Sequence, residues 1–562
     1  MNKRWNILYK DIDTKTVAAI ESAAAVSPLL ARLLAVRGVS PEDAAAYLAP
    51  GLASLYDPFA MQDMGSAVDR IQNAIKNRER ITVYGDYDVD GICAVTVLLS
   101  YLKSEGAVCG FYIPDREREG YGVNADAIRK IVADGTKLII TVDTGITAVQ
   151  EVITAREYGM DMIITDHHSI GDVLPKATAV VNPKRTDCAY PFKALCGAGV
   201  AFKLVCALSG DTKRMVTEYC DIVALATVAD VVSLCGENRV LTALGLRKMR
   251  KMPSVGLSAL FEVAGITSGG LSSYQISFGA APRLNAAGRM GSCMPAVRLL
   301  LTDSPEEAAE LAASLDGQNV SRKSAGEDIY SDALLKIKEG NYENDKVLVL
   351  SCDGWHHDII GIIASKLTEQ FYKPTVLIST HDGTGKGSGR SIPGLNLYEA
   401  LRHAEPLLDR YGGHALAAGL TIPAENIDAL RASLNAYADT VLSEEDMMPV
   451  IDIDAPLDIS LPLLSVAKQL DLLEPFGAGN AKPVFLMENV TVSAVRTSKD
   501  KKHLFLRLFK HGAAVDAVAF GKGDLYEDLS RGDALDVVGE LHINTYGGVE
   551  TPQIIMLDLR QR

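Results

Sequence analysis

Three short runs of β-branched and apolar residues, RITVYGD (80–86), KLIITVD (137–143) and DMIITD (161–166), each finish on an aspartate. Helix-length segments separate them. Continuous apolar strands alternating with helices imply a parallel sheet covered on both faces, an α/β fold. In open sheets of this kind ligands bind in the crevice outside the carboxyl ends of the strands. The fold would therefore gather Asp86, with Asp88 and Asp90 directly behind it in GDYDVDG; Asp143; and Asp166, with His167 and His168. Several acids cannot share a small volume while ionised unless cations neutralise them. Two divalent metals are the natural solution, and carboxylates mixed with imidazoles suit Mn²⁺ as well as Mg²⁺.

Taken singly, each piece has an ordinary alternative. Acid-rich turns after strands are common, Asp143 could cap the next helix, and a His-His pair is often one surface and one core histidine. Asp230, in LATVADVV, reads equally as a ligand or as an exposed helix-face acid. Three acidic strand ends within one short stretch make coincidence improbable.

The 562 residues allow three to five domains at roughly 100–200 residues each. Hydrophobic residues make up 48% and charged residues 23%, an ordinary globular composition. The net charge of −15 excludes an evenly basic nucleic-acid binder but leaves room for local basic patches. Nine cysteines form no C-x-x-C pair and sit mostly in apolar segments, so reduced thiols and a cytoplasmic setting are expected. No apolar run approaches the ~18 residues of a membrane span, and the charged N-terminus lacks the apolar core of a secretory signal.

Along the chain, residues 1–65 read as short helices and 66–303 as the α/β domain with the acidic strand ends. A long connecting helix is expected over 304–340, a second α/β domain over 341–445, and short strands with regular turn signals, a small β-barrel, over 446–562.

GDYDVDG, VDTG, DHH and TVADVV, in this order, resemble the four motifs of the DHH phosphoesterase superfamily. RLLAVRGVS, DPFAMQDM, IPDREREGYG and APRLNAAGR resemble the bacterial RecJ family of single-strand-specific exonucleases. WHHDIIGIIASKL, GSGRSI and YGGHALAAGL are similar to its DHH-associated second domain (DHHA1), and FGAGNAKPVF with the tail to its OB-fold region. The resemblance places metal ligands at Asp88, Asp90, Asp143, His167, His168 and Asp230, with Asp86 and Asp166 as ligands or as supports that orient them. Three departures stand out. Tyr84 replaces a frequent metal-binding His, VDTG replaces VDCG, and GNAKP replaces GNPEP.

The implied activity is metal-dependent 5′→3′ hydrolysis of single-stranded DNA to 5′-mononucleotides, in repair and recombination. Two metals suit it, because no Ser-His or Cys-His arrangement suggests another nucleophile. Arg283 and Arg289, with Asn285, are expected to grip the substrate backbone. In the glycine-rich KGSGRSI, read as a loop, Ser388 and Arg390, with Arg116, would hold the terminal 5′-phosphate. His356 and His414 would line the same cleft or be hydrogen-bonded in the core. Phe505 and Tyr546, beside the basic cluster of Arg496, Lys499, Lys501 and Lys502, would hold bases and phosphates on the barrel. Single-strand-binding protein and a helicase are partners by family analogy, and a monomer is the default. The competing readings are a DHH phosphodiesterase of short oligonucleotides or cyclic dinucleotides, and a non-catalytic DHH scaffold.

Overall fold

The computed structural model describes residues 3–116, 118–120 and 122–562, so the 113–122 motif is seen apart from Glu117 and Tyr121. It divides into two compact units. One comprises Ile7–Asp316 with Asp452–Arg562; the other comprises Gly317–Ile451 with the N-terminal residues through Asn6.

In the first unit the apolar runs form five parallel strands: β1 (Arg80–Tyr84), β2 (Cys109–Tyr112), β3 (Thr136–Val142), β4 (Asp161–Thr165) and β5 (Ala179–Val181). Their order is β2-β1-β3-β4-β5. Ile81, Val83, Leu138 and Ile140 face α1 (Val89–Ser104) and α2 (Gly197–Ser209). Ile139, Ile164 and Val180 face the opposite layer, with Ile128, Ile131 and Val152. Burial on both faces is why these strands read as unbroken apolar runs. The helices α3 (Thr212–Ala229), α4 (Gly236–Lys251) and α5 (Ala281–Met290) follow, and a single helix, α6 (Pro305–Glu339), runs across the boundary of the units.

The same unit holds the C-terminal barrel. Its strands are β6 (Val484–Thr497), β7 (Leu504–Lys510), β8 (Ala513–Ala519), β9 (Ala534–Tyr546) and β10 (Val549–Gln561). They run β6-β7-β8-β10-β9, and pairing of β6 with β9 closes the ring. Its core is shared. Val17, Ile20, Leu30, Leu33 and Leu34 from the N-terminal helices pack with Phe485, Val490, Leu506 and Val537. The N-terminal segment is therefore part of the barrel's hydrophobic core. It also contains a strand where helices alone were expected: Arg4–Ile7, with the Arg4 N–H donated to the Pro449 carbonyl at 2.9 Å.

The second unit is an α/β domain with a five-stranded mixed sheet. The glycine-rich KGSGRSI segment is not a flexible loop. Thr384–Arg390 is a strand paired on both sides, with Thr375–His381 and Ala417–Pro423. Its glycines serve packing. A Cβ on Gly385, Gly387 or Gly389 would lie 2.7, 2.8 or 2.7 Å from the Ile378, Leu420 or Leu397 side chains. No single helix of the described residues is long and apolar enough to cross a membrane.

Candidate active site

The ends of β1, β3 and β4 bring the acidic residues together. Asp88 caps α1, its Oδ1 accepting the Gly91 N–H at 3.0 Å. Asp90, in the first turn of α1, accepts the Gly197 and Ala198 N–H groups of the α2 N-terminus at 2.6 and 2.8 Å. That places a carboxylate where a helix dipole favours negative charge. Asp143 leaves β3 in the left-handed region, φ 61°, a conformation that costs energy for a non-glycine residue. Gly197 makes room for it, since a Cβ there would lie 2.4 Å from Asp143 Oδ1.

The donor atoms converge in groups spanning at most 4.8 Å. Asp86, Asp88 and Asp143 form one triad; Asp90, His167 and Asp230 form a second, disjoint one. A third, Asp143, His167 and His168, takes a member from each and links them. His167 Nε2 lies 3.1 Å from Asp143 Oδ1, and 3.8 Å from both Asp90 Oδ2 and Asp230 Oδ2. Asp230, which sequence pattern left open, thus faces the cluster.

Asp166 belongs to none of these triads. Its Oδ1 accepts His168 Nδ1 at 2.8 Å and the His167 N–H at 2.7 Å, and its Oδ2 accepts the Ile146 N–H at 2.9 Å. These contacts hold the His168 ring and the backbone of both histidines. Tyr84 is excluded as a ligand. It is fully buried, stacked on Tyr112, and donates its hydroxyl to the Gly122 carbonyl at 3.0 Å.

Electrostatics separates the two kinds of acid. Burial, then Asp88, pushes Asp86 up to about 7. Burial, then Asp90 and Asp88, pushes Asp230 up to about 9. Burial also raises Asp90, and it raises Asp143 well above the ordinary range, reinforced by Asp90, Asp88 and Asp86. For Asp166 burial is outweighed by the His168 hydrogen bond and charge, which hold it below the usual carboxylate range. Burial lowers His167, whereas the Asp166 contact overcomes burial at His168 and raises it.

Among the described residues, Asp143 Oδ1, both ring nitrogens of His167 and Asp230 Oδ2 are buried without a hydrogen-bond partner. Buried polar atoms are normally satisfied, so four orphans in one cluster fit ligands of a cation. The donor set of carboxylate oxygens and imidazole nitrogens fits Mn²⁺ or Mg²⁺.

The remaining sequence candidates fall into several groups. Arg116 sits over the Tyr87 ring at 5.0 Å, close enough to Asp86 to act on its charge. Asn285 turns inward, its Oδ1 accepting the Val89 N–H at 3.2 Å, so it braces the loop between Asp88 and Asp90. Arg283 is tied internally to Asp316, Gly279 and Val263, with Nε 2.8 Å from Asp316 Oδ1, which engages three of its N–H groups and leaves one on each terminal nitrogen. Arg289 is half-buried on the same helix, α5.

In the second unit Arg390 Nη1 contacts Ser388 Oγ at 3.2 Å, and Gly361 lets both approach its helix. His356 caps that helix, its Nδ1 accepting the Asp358 N–H at 3.3 Å, while His414 is exposed in a turn. On the barrel Arg496 lies over the Phe505 ring at 5.1 Å, and Tyr546 is exposed at a hairpin tip. Sequence reasoning missed Gly197; its signal was a Gly-x-Gly opening a helix.

Residues 80–227 match the DHH family, N-terminal domain; 344–440 the DHHA1 domain; and 453–558 the RecJ OB domain. The chain is 40% identical over 559 residues to the single-stranded-DNA-specific exonuclease RecJ of Bacillus subtilis (strain 168), covering 99% of this chain and 70% of that protein. It is 32% identical over 557 residues to that of Escherichia coli (strain K12), covering 95% and 96%. The crystal structure of RecJ in complex with Mn²⁺ from Thermus thermophilus superposes with a TM-score of 0.86 at 32% identity, covering 100% of this chain and 80% of that one. Its Mg²⁺ complex gives 0.80.

Proposed function

The chain belongs to the RecJ family of single-stranded-DNA-specific exonucleases, and from that premise we propose that it degrades single strands from the 5′ end, releasing 5′-mononucleotides. The observation that carries the site assignment is the cluster of orphaned atoms on Asp143, His167 and Asp230. Asp86, Asp88 and Asp143 would hold one divalent cation and Asp90, His167 and Asp230 the other, with His168 completing the link between them. When bound, such a pair supplies activated water at neutral pH and charge stabilisation for in-line phosphodiester displacement.

The chain's own groups set the geometry. Asp166 holds Nδ1 of His168, fixing the tautomer that presents Nε2 as the ring's lone-pair donor. Gly197 and Ala198 fix Asp90, and Asn285 fixes the backbone between Asp88 and Asp90. Arg283 and Arg289 are assigned to the substrate backbone, and Arg116 to the terminal 5′-phosphate. Ser388 and Arg390 are assigned to the terminal 5′-phosphate, which would make the enzyme an exonuclease. Arg390 supports this, because its described partners are the Ser388 hydroxyl and the Gly389 carbonyl, with no carboxylate. Residues 66–303 are assigned to catalysis, 341–445 to end binding, and 446–562 to holding the strand through Phe505 and Tyr546. Repair and recombination in the cytoplasm, alongside single-strand-binding protein and a helicase, are the matching roles.

The test is 3′-labelled single-stranded DNA with Mn²⁺ or Mg²⁺, with and without a 5′ block. Progressive shortening that needs an unblocked 5′ end, and that Asp143→Ala or His167→Ala abolishes, is expected. Cleavage of dinucleotides with long strands left intact would overturn the proposal.

A further inference from the structure

In a chain of net charge −15, residues 247–252, RKMRKM, hold four cations and no acid. They close α4 and cross its end. Part of that charge has local duties. Lys248 lies 2.8 Å from Asp221 Oδ1 and Arg250 3.2 Å from Glu474 Oε2, and cations complement a helix C-terminus. Arg247 and Lys251, four residues apart, share one exposed face of the helix; Arg247 donates to the Ala243 and Pro50 carbonyls and keeps its charge unpaired by any described carboxylate. Met252, which follows, is 74% exposed, and a helix dipole gives no reason for that.

The neighbouring segment has the same character. Arg250 Nε donates to the Leu271 carbonyl at 2.8 Å, tying the basic helix end to the turn that leads to Tyr274 and Phe278. These two rings are 61% and 67% exposed, with centroids 4.7 Å apart and planes tilted by 37°. Phe278 lies within a π-helical turn, Ile276–Ala280, a form that is rare and frequently marks functional sites. The turn feeds directly into α5, whose Asn285 braces the Asp88–Asp90 loop and whose Gly288 would meet the Tyr87 carbonyl if it carried a Cβ.

The geometry points to an accessory single-strand-binding surface on this unit, where bases stack on Tyr274 and Phe278 and phosphates run past Arg247 and Lys251. Exposed aromatic rings beside cations are how proteins hold single strands without reading sequence. Charge complementarity selects a polyanion as the occupant, since the patch is basic on an acidic chain. The surface draws on none of Ser388, Arg390, Arg496 and Phe505. It rests on the exonuclease reading, because it takes the same single-stranded DNA.

The test uses the full-length chain with 3′-fluorescent oligo-dT of about 40 and about 5 nucleotides. Binding is read by anisotropy in an Asp143→Asn background, and hydrolysis without that substitution. Tyr274→Ala with Phe278→Ala should weaken binding of the long strand about tenfold, and Trp at both positions should restore it. Lys251→Glu should lower the slope of log affinity against log salt by about one. Hydrolysis should slow on the long strand and not on the short one. Unchanged long-strand binding would overturn the surface, as it would if the patch served a protein partner. A parallel loss on the short strand would also overturn it, reducing the turn to a structural support of α5. Failure of the parent chain to cut either strand would contradict the exonuclease reading instead.

Discussion

Two buried polar clusters in the same unit obey opposite rules. Around Asn480 every polar atom is used. Its Nδ2 donates to the Leu473 and Pro475 carbonyls, both at 2.8 Å, and its Oδ1 accepts Arg37 Nε at 3.0 Å and the Tyr47 hydroxyl at 2.9 Å. Arg239, 2% exposed, donates to the carbonyls of Tyr47, Leu472 and Leu473. The FGAGN segment thereby clasps the N-terminal helices and α4 to the chain entering the barrel. At the strand ends the opposite holds. Four buried acids crowd together, and atoms on Asp143, His167 and Asp230 have no partner. A satisfied network specifies a fold, whereas an unsatisfied one stores a demand that a ligand must meet.

Substitutions in the two clusters should therefore separate activity from stability. The largest effect is expected for Asp143→Asn, on the order of a thousandfold or more in hydrolysis, with the metal-free Tm unchanged or raised because a crowded carboxylate is removed. A lowered metal-free Tm would mean the acids stabilise the fold. Asn480→Ala reverses the pattern. Two carbonyls, a guanidinium and a hydroxyl each lose one partner, costing about 3 kcal/mol and lowering Tm, while activity per folded molecule persists. Full stability in thermal melts of that variant would dissolve the clasp.

Asp166→Asn stands between the two. It should weaken Mn²⁺ binding by roughly 10–100-fold in titration calorimetry, because the imidazole of His168 loses its fixed tautomer. Unaltered affinity would make Asp166 a bystander. The smallest effect is one of pH. The folded-state pKa values of Asp86 and Asp230 are raised, so the stability tied to their protonated forms is complete below the ordinary 3.8 and is lost as pH rises through about 7 and about 9. Cations replace those protons, so the Tm difference between Mn²⁺-loaded and chelated protein should widen from pH 6 to pH 8. A constant or shrinking difference counts against the assignment.

The acidic strand ends were legible because strand period and a terminal acid are local signals, and the sheet topology did the rest. Asp230 was open until its helix was placed beside His167. The clasp was unreadable beyond its motif, since Arg37 lies 443 residues from Asn480 in sequence. Thr384–Arg390 read as a loop because glycine counts against strands, and only the packed neighbours of Gly385, Gly387 and Gly389 explain it. The internal bonds of Arg283 and Asn285 are equally invisible in sequence, because a residue type announces a capacity to bind, not the partner that uses it. The shared core of the N-terminal helices and the barrel joins the two ends of the chain, and no local pattern reports such a contact.

We propose that a pair of divalent cations completes the orphaned acids and imidazoles. Anomalous diffraction from Mn²⁺-soaked crystals tests it most directly. Two manganese peaks are predicted, one among Asp86, Asp88 and Asp143 and one among Asp90, His167 and Asp230. A single peak, or manganese found only among His356, His357 and Asp358, whose donor atoms also lie within 4.8 Å of one another, would rule out the pair.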